Sequence, residues 1–91
     1  YLYEALGHKR LDKRMEPFLV TCPAGRSEPP TFIARGEEFI FLLRGRLEFV
    51  HGQSRFVLGP GDCVYLDGDV PHGGRALGRR DAVALAVSAR R

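Results

Sequence analysis

From Phe18 onward the chain alternates short apolar runs with glycine and proline, and it never sustains the three-to-four-residue spacing of an amphipathic helix. The pattern predicts an all-β fold. The runs that read as strands are Tyr1 to Ala5, Glu16 to Cys22, Phe32 to Ala34, Phe39 to Leu43, Arg46 to Val50, Ser54 to Leu58, Cys63 to Leu66 and Ala82 to Ser88. Leu47 and Phe49 alternate with Arg46 and Glu48, which gives one buried and one wet face. His51-Gly52-Gln53 then turns that strand back into Arg55-Phe56-Val57-Leu58 as a hairpin. Phe39 to Leu43 is apolar on both faces, so it reads as a central strand whose outer face a second sheet or a partner subunit must cover. Gly59-Pro60-Gly61-Asp62 is the strongest turn: proline fixes φ, glycine permits positive φ, and aspartate can accept from neighbouring amides. Pro29-Pro30 and Pro71 suit loops or strand edges, where a missing N–H is tolerated. Leu6 to Met15 is polar and basic, with Leu11 and Met15 at helix-like spacing, and reads as one helical turn or a solvated loop.

Length and charge narrow the classes. At 91 residues there is room for one domain, 1–91, and 44% hydrophobic with 27% charged residues is the composition of an ordinary globule. The net charge of +3 sits mostly in His8-Lys9-Arg10, Lys13-Arg14, Arg79-Arg80 and Arg90-Arg91. Acids are interleaved throughout, so no direct nucleic-acid contact by this segment is expected. Cys22 and Cys63 make no metal-knuckle or CxxC spacing, and each reads as a small buried apolar residue in a reducing compartment. No apolar run approaches a membrane span and no signal-peptide pattern opens the chain. A cytoplasmic protein is expected, and the start at Tyr1 rather than methionine reads as a fragment of something longer.

Two stretches carry a family resemblance. Gly36-Glu37-Glu38-Phe39-Ile40-Phe41-Leu42-Leu43-Arg44-Gly45-Arg46-Leu47-Glu48 and Gly59-Pro60-Gly61-Asp62-Cys63-Val64-Tyr65-Leu66, continuing through Val70-Pro71-His72, together resemble the cupin superfamily. That resemblance implies a small double-stranded β-helix, a jelly-roll barrel. The flanks Tyr1 to Leu6, His8 to Leu11 and Arg14 to Thr21, with Arg75-Ala76-Leu77-Gly78, resemble the cupin domain that follows the helix-turn-helix of XRE-type transcriptional regulators. This narrower likeness implies a barrel that senses a small molecule or dimerises, while a separate N-terminal helical domain reads DNA; no such helical domain lies within this chain.

Cupin enzymes hold a divalent metal with two histidines and a glutamate from the first motif and a histidine from the second. Placed on that pattern, Glu38 takes the glutamate position and His72 the last histidine, while Phe32 and Ala34 stand where the first two histidines would be. Asp67 and Asp69 replace the usual proline and glycine of the preceding loop. Two donors make at most a weakly bound divalent metal, so no catalytic residue and no firm cofactor is assigned. The resemblance instead implies a ligand pocket of Glu38, His72, Phe32, Ala34, Ile40 and Val64, apolar at its mouth with one acid and one imidazole. The same pair could equally satisfy each other in a barrel core. His8 and His51 are expected to face solvent. The favoured reading is the small-molecule-binding, homodimeric sensory domain of a transcriptional regulator; the alternatives are a stand-alone cupin metalloenzyme of dioxygenase or isomerase type, or a purely dimerising barrel.

Overall fold

The computed structural model describes residues 1–90. Its strands are β1 (Leu2–Ala5), β2 (Met15–Cys22), β3 (Glu37–Arg44), β4 (Leu47–His51), β5 (Ser54–Leu58), β6 (Cys63–Asp67), β7 (His72–Ala76) and β8 (Ala82–Ala89). They form a five-stranded sheet in the order β1-β2-β8-β3-β6 and a three-stranded sheet in the order β5-β4-β7, with every pairing antiparallel. The last strand slots between β2 and β3, and β7 joins β4 rather than its sequence neighbour β6. The chain thus passes back and forth between two facing sheets, all-β as the pattern predicted and a jelly roll as the family resemblance implied. No helix among the described residues is long and apolar enough to cross a membrane.

Alternation along each strand decides what fills the space between the sheets. Ile40 and Leu42 of β3, Leu47 and Phe49 of β4, Leu58 of β5 and Leu66 of β6 are all buried in one cluster. Phe39 and Phe41 point the other way, half-buried beside Leu85 and Val87, their register partners on β8. The second sheet therefore covers one face of the doubly apolar strand and leaves the other on the outside of the barrel. A register shift between Leu42 and Arg44 ends that strand in an irregularity and leaves Leu43 exposed.

The predicted hairpin is present, with Leu47 opposite Leu58 and His51 opposite Ser54. In the turn before β6, Gly61 adopts φ 91° and Asp62 Oδ2 accepts from the Gly59 amide at 2.8 Å. Leu6 to Arg14 is a loop of turns and bends, and Leu11 in it is 80% exposed.

Two expectations about strands change. Phe32 to Ala34 forms no strand but a single antiparallel bridge, Phe32 with His72, closed by Phe32 N–H to His72 O at 2.8 Å and His72 N–H to Phe32 O at 3.0 Å. Pro29 and Pro30 supply no donors just before it, and the Ala34 amide turns instead to the Gly68 carbonyl at 2.8 Å. Conversely, His72–Ala76 is a strand that the sequence pattern did not signal, because Gly73 and Gly74 have poor strand propensity. Glycine is required there by its surroundings: a Cβ on Gly73 would lie 1.7 Å from the Pro30 carbonyl oxygen, so the loop between β2 and β3 crosses directly over this strand.

That loop is held against the small sheet by charge as well. Arg75 donates to Glu48 at 2.8 Å and to the Arg26 carbonyl at 3.0 Å, and Arg55 reaches Glu48 and Glu28 at 3.5 Å each. Exposed pairs of this kind contribute little individually, but together they seat the segment that carries Phe32 and Ala34.

Candidate ligand-binding site

Between the sheets lies a cavity of about 190 Å³. Its walls come from small and apolar side chains at inward positions: Val20 and Cys22 on β2, Ile40 on β3, Leu47 and Phe49 on β4, Ala84 and Ala86 on β8. Gly74 on β7 and Ala34 in the crossing loop complete them, and Tyr1, Tyr3 and Phe32 gather at one side. Of the residues expected to form a pocket, Glu38, His72, Phe32, Ala34 and Ile40 all line this cavity. Val64 does not; paired with Ile40 across β3 and β6, it packs against the buried cluster instead. A wider depression elsewhere on the surface, bordered by Arg44, Arg79 and Arg80, is charged and lacks the largely apolar lining of a small-molecule site.

Glu38 and His72 meet across the barrel. His72 Nε2 lies 2.5 Å from Glu38 Oε1, and Nδ1 lies 2.8 Å from the Val70 carbonyl oxygen. Both ring nitrogens thus face acceptors, an arrangement that favours the protonated ring. The hydrogen bond from Glu38 raises the His72 pKa from its usual 6.5, against the opposing pull of burial, and the Val70 carbonyl adds to the rise. In that form the ring has no lone pair with which to act as a base. The pair is nearly closed off from solvent, with side-chain exposures of 8% and 16%.

The aromatic side of the cavity is tied to the small sheet. The Tyr1 hydroxyl donates to the Gly74 carbonyl, and the Gly74 amide donates back to the hydroxyl at 3.2 Å. Burial pushes the Tyr1 hydroxyl up to about 12 despite that carbonyl partner, so it stays a neutral phenol. The Tyr1 ring stands 5.9 Å from Phe32 and 6.1 Å from Tyr3, and Phe49 lies 6.4 Å from the His72 ring. Arg26 places its guanidinium 5.7 Å from the centre of the Tyr1 ring. Burial likewise pushes the Cys22 thiol up to about 11, which leaves it protonated and a poor nucleophile.

Sequence reasoning missed Tyr1, Tyr3, Val20, Cys22, Leu47, Phe49, Gly74, Ala84 and Ala86 as cavity residues. The signal available was inward parity on β2, β4 and β8, but it needed the strand order to show which inward positions share a wall. His8 is exposed as expected, whereas His51 closes β4 half-buried, with Nε2 3.4 Å from the Asp67 carbonyl oxygen. Of the two cysteines, Cys22 is buried as expected and Cys63 is exposed.

A cupin domain family matches residues 18–88. The chain belongs to the cupin family. Among curated protein sequences none matches the chain. Crystal structures share its fold at low identity. Hydroxypropylphosphonic acid epoxidase from S. wedmorenis is 23% identical with a TM-score of 0.83, over 94% of this chain and 49% of that one. A cupin superfamily protein from Desulfitobacterium hafniense DCB-2 is 17% identical with a TM-score of 0.81, over 99% of this chain and 77% of that one. The Cnp3 cupin domain of Schizosaccharomyces pombe is 14% identical with a TM-score of 0.83, over 98% of this chain and 60% of that one. This cupin spans about half the length of the epoxidase chains it resembles. The epoxidase, HppE, is seen with iron(II) and with cobalt(II).

The donor set of this cupin does not fit a tightly held metal. Glu38 and His72 are two donors, one oxygen of the first already bonded to the second, and no cluster of three or more His, Cys, Asp or Glu suited to a metal occurs among the described residues. Phe32 and Ala34 add only apolar surface to the same cavity.

Proposed function

We propose that this cupin is a cytoplasmic sensory barrel that binds a small molecule between its sheets and belongs to a transcriptional regulator whose DNA-reading domain is separate from it. The observation that carries binding is the largely apolar cavity between the sheets, with a single, largely buried Glu38–His72 pair facing into it. The regulatory part rests on the resemblance of Tyr1 to Thr21 and of Arg75 to Gly78 to the barrels of XRE-type regulators. Sensing requires that the ligand prefer one state of the barrel over another, so occupancy must be coupled to a second surface. The outward Phe39 and Phe41 face is that surface in a homodimer, to be read as a dimer mass in sedimentation.

A ligand bound only by the folded state raises the melting temperature, by an amount that grows with the ratio of its concentration to its dissociation constant. A thermal-shift screen of small metabolites is expected to give saturable stabilisation; a broad library without any shift leaves dimerisation as the better account. A helix-turn-helix encoded in frame beside this domain is the expected genetic context.

A second reading is favoured by the iron(II) and cobalt(II) forms of HppE, which share the fold. In it, Glu38 and His72 hold a divalent metal weakly, with water or a ligand completing the shell, in a cupin enzyme of dioxygenase or isomerase type. Elemental analysis of protein purified without chelator decides: near-stoichiometric iron, manganese or zinc would replace the binding reading with the enzymatic one.

A further inference from the structure

The cavity's hydrogen-bonding inventory is one-sided. His72 has committed both ring nitrogens, one to Val70 and one to Glu38. The Tyr1 hydroxyl both gives to and takes from Gly74. The Cys22 thiol is only a weak donor. The Tyr3 hydroxyl also lines the cavity, but Tyr3 is 53% exposed and stands on its solvent-open side. In the buried part the strong capacity that remains is on Glu38: a carboxylate offers about four acceptor sites, and His72 engages one. A ligand therefore meets an acceptor against otherwise apolar walls. A ligand that is itself an anion would bring a second negative charge beside Glu38, with no free donor in the buried part of the cavity to receive it, and burying such a charge unpaired is costly.

Size sets the other limit. An apolar cavity of about 150 Å³ accommodates benzene. The cavity here, about 190 Å³ and open to solvent on the side of Tyr3 and Phe32, holds one such ring with a small substituent. Its aromatic side, Tyr1, Tyr3 and Phe32, presents ring faces and edges to a planar guest.

We propose, building on the reading that the cavity binds a small molecule, that its ligand is an uncharged single-ring compound bearing a hydroxyl or N–H group that donates to Glu38, and that carboxylates and phosphonates of similar size are rejected. The separation from the structurally similar epoxidase is chemical: that enzyme is named for a phosphonic acid, whereas this cavity favours a phenol-like guest.

The test uses three probes of matched size on the whole 91-residue chain, titrated by calorimetry: phenol, toluene and benzoate. Phenol is expected to bind one to one. Toluene, with the same ring and no donor, binds weaker by about tenfold or more, the weight of a hydrogen bond to a charged group. Benzoate gives no heat of binding. In Glu38→Gln, once circular dichroism shows it folded, phenol falls toward the toluene value while toluene is unchanged. Should that variant not fold, the ranking of the three probes on the native chain still decides. Phenol no tighter than toluene, or benzoate as tight as phenol, overturns the proposal. If phenol is silent while some other metabolite stabilises the barrel, the ligand class is wrong and the binding function stands; if nothing stabilises it, both fall.

Discussion

The two flanks of the barrel interior are built by overlapping strands yet end differently. Toward β5 and β6 the space is filled by Leu42, Leu58, Leu66 and Val64, and Leu42 is fully buried. Toward β1, β2 and β7 the inward positions are Ala84, Ala86 and Gly74, and the cavity opens there. A single strand joins the two: β3 sends Glu38 to the cavity and Leu42 to the filled part, four residues apart on one face. The void thus comes from the size of side chains at a few inward positions rather than from a gap between sheets. The filled flank supplies packing, and the hollow flank keeps room beside the one buried ionic pair.

Truncation on the filled flank should cost most. Leu42→Ala removes a side chain with 0% exposure, and its neighbours can relax only in part, so a loss of about 3 kcal/mol in denaturant unfolding is expected. A cost under about 1 kcal/mol would mean that this flank is no better packed than the other.

The hollow flank should respond to charge and pH. The folded-state pKa of His72 is raised above its unfolded 6.5, chiefly by Glu38, so the folded state holds a proton more tightly than the unfolded chain. The resulting stability is fully present below pH 6.5 and is lost as pH rises through the higher folded value. Glu38→Gln is expected to cost about 2 kcal/mol near pH 6, since it takes the charged acceptor from the His72 hydrogen bond. The cost should shrink as pH rises through the folded-state value of His72, above which the native pair no longer gains from the proton. Unfolding curves of both proteins across that range check this, and parallel curves would show that the pair does not titrate as its geometry implies.

How far the sequence foretold these flanks depends on the kind of residue. Strong alternation and turn chemistry made β4, β5 and the Gly59-to-Asp62 turn legible, and both surround the filled flank. The hollow flank depends on residues with little local signal. Ala84 and Ala86 read simply as strand, and Gly73 and Gly74 read against it, because their role is to let Pro30 and Leu47 come close. Glu38 and His72 were visible through the family resemblance, and the structure brings them together. Their joining to Val70, and the part played by Tyr1, required partners 2 and 73 residues away in sequence to be placed in space. Val64 was expected in the pocket through the same resemblance, and its side chain does pack inward. It belongs to the filled flank because β6 lies at the sheet edge away from β1 and β2.

The smallest expected effect on stability is also the most direct test of the contrast. Ala86→Leu would extend an isobutyl group from β8 into the cavity beside Val20 and Ile40. In a filled interior such an enlargement costs about 1–3 kcal/mol in displaced neighbours. Where room already exists, it gains buried apolar surface instead, so stability should stay within about 1 kcal/mol of the parent or rise slightly. The added bulk would occupy the volume that a single-ring guest needs. Stabilisation by phenol or by any screened ligand should therefore vanish in this variant while the pH dependence set by Glu38 and His72 survives. Loss of ligand response without loss of stability would show that the space is kept open at no structural benefit, which is the expected mark of a binding site. A large destabilisation would show that the alanines are there because the barrel closes tightly around them.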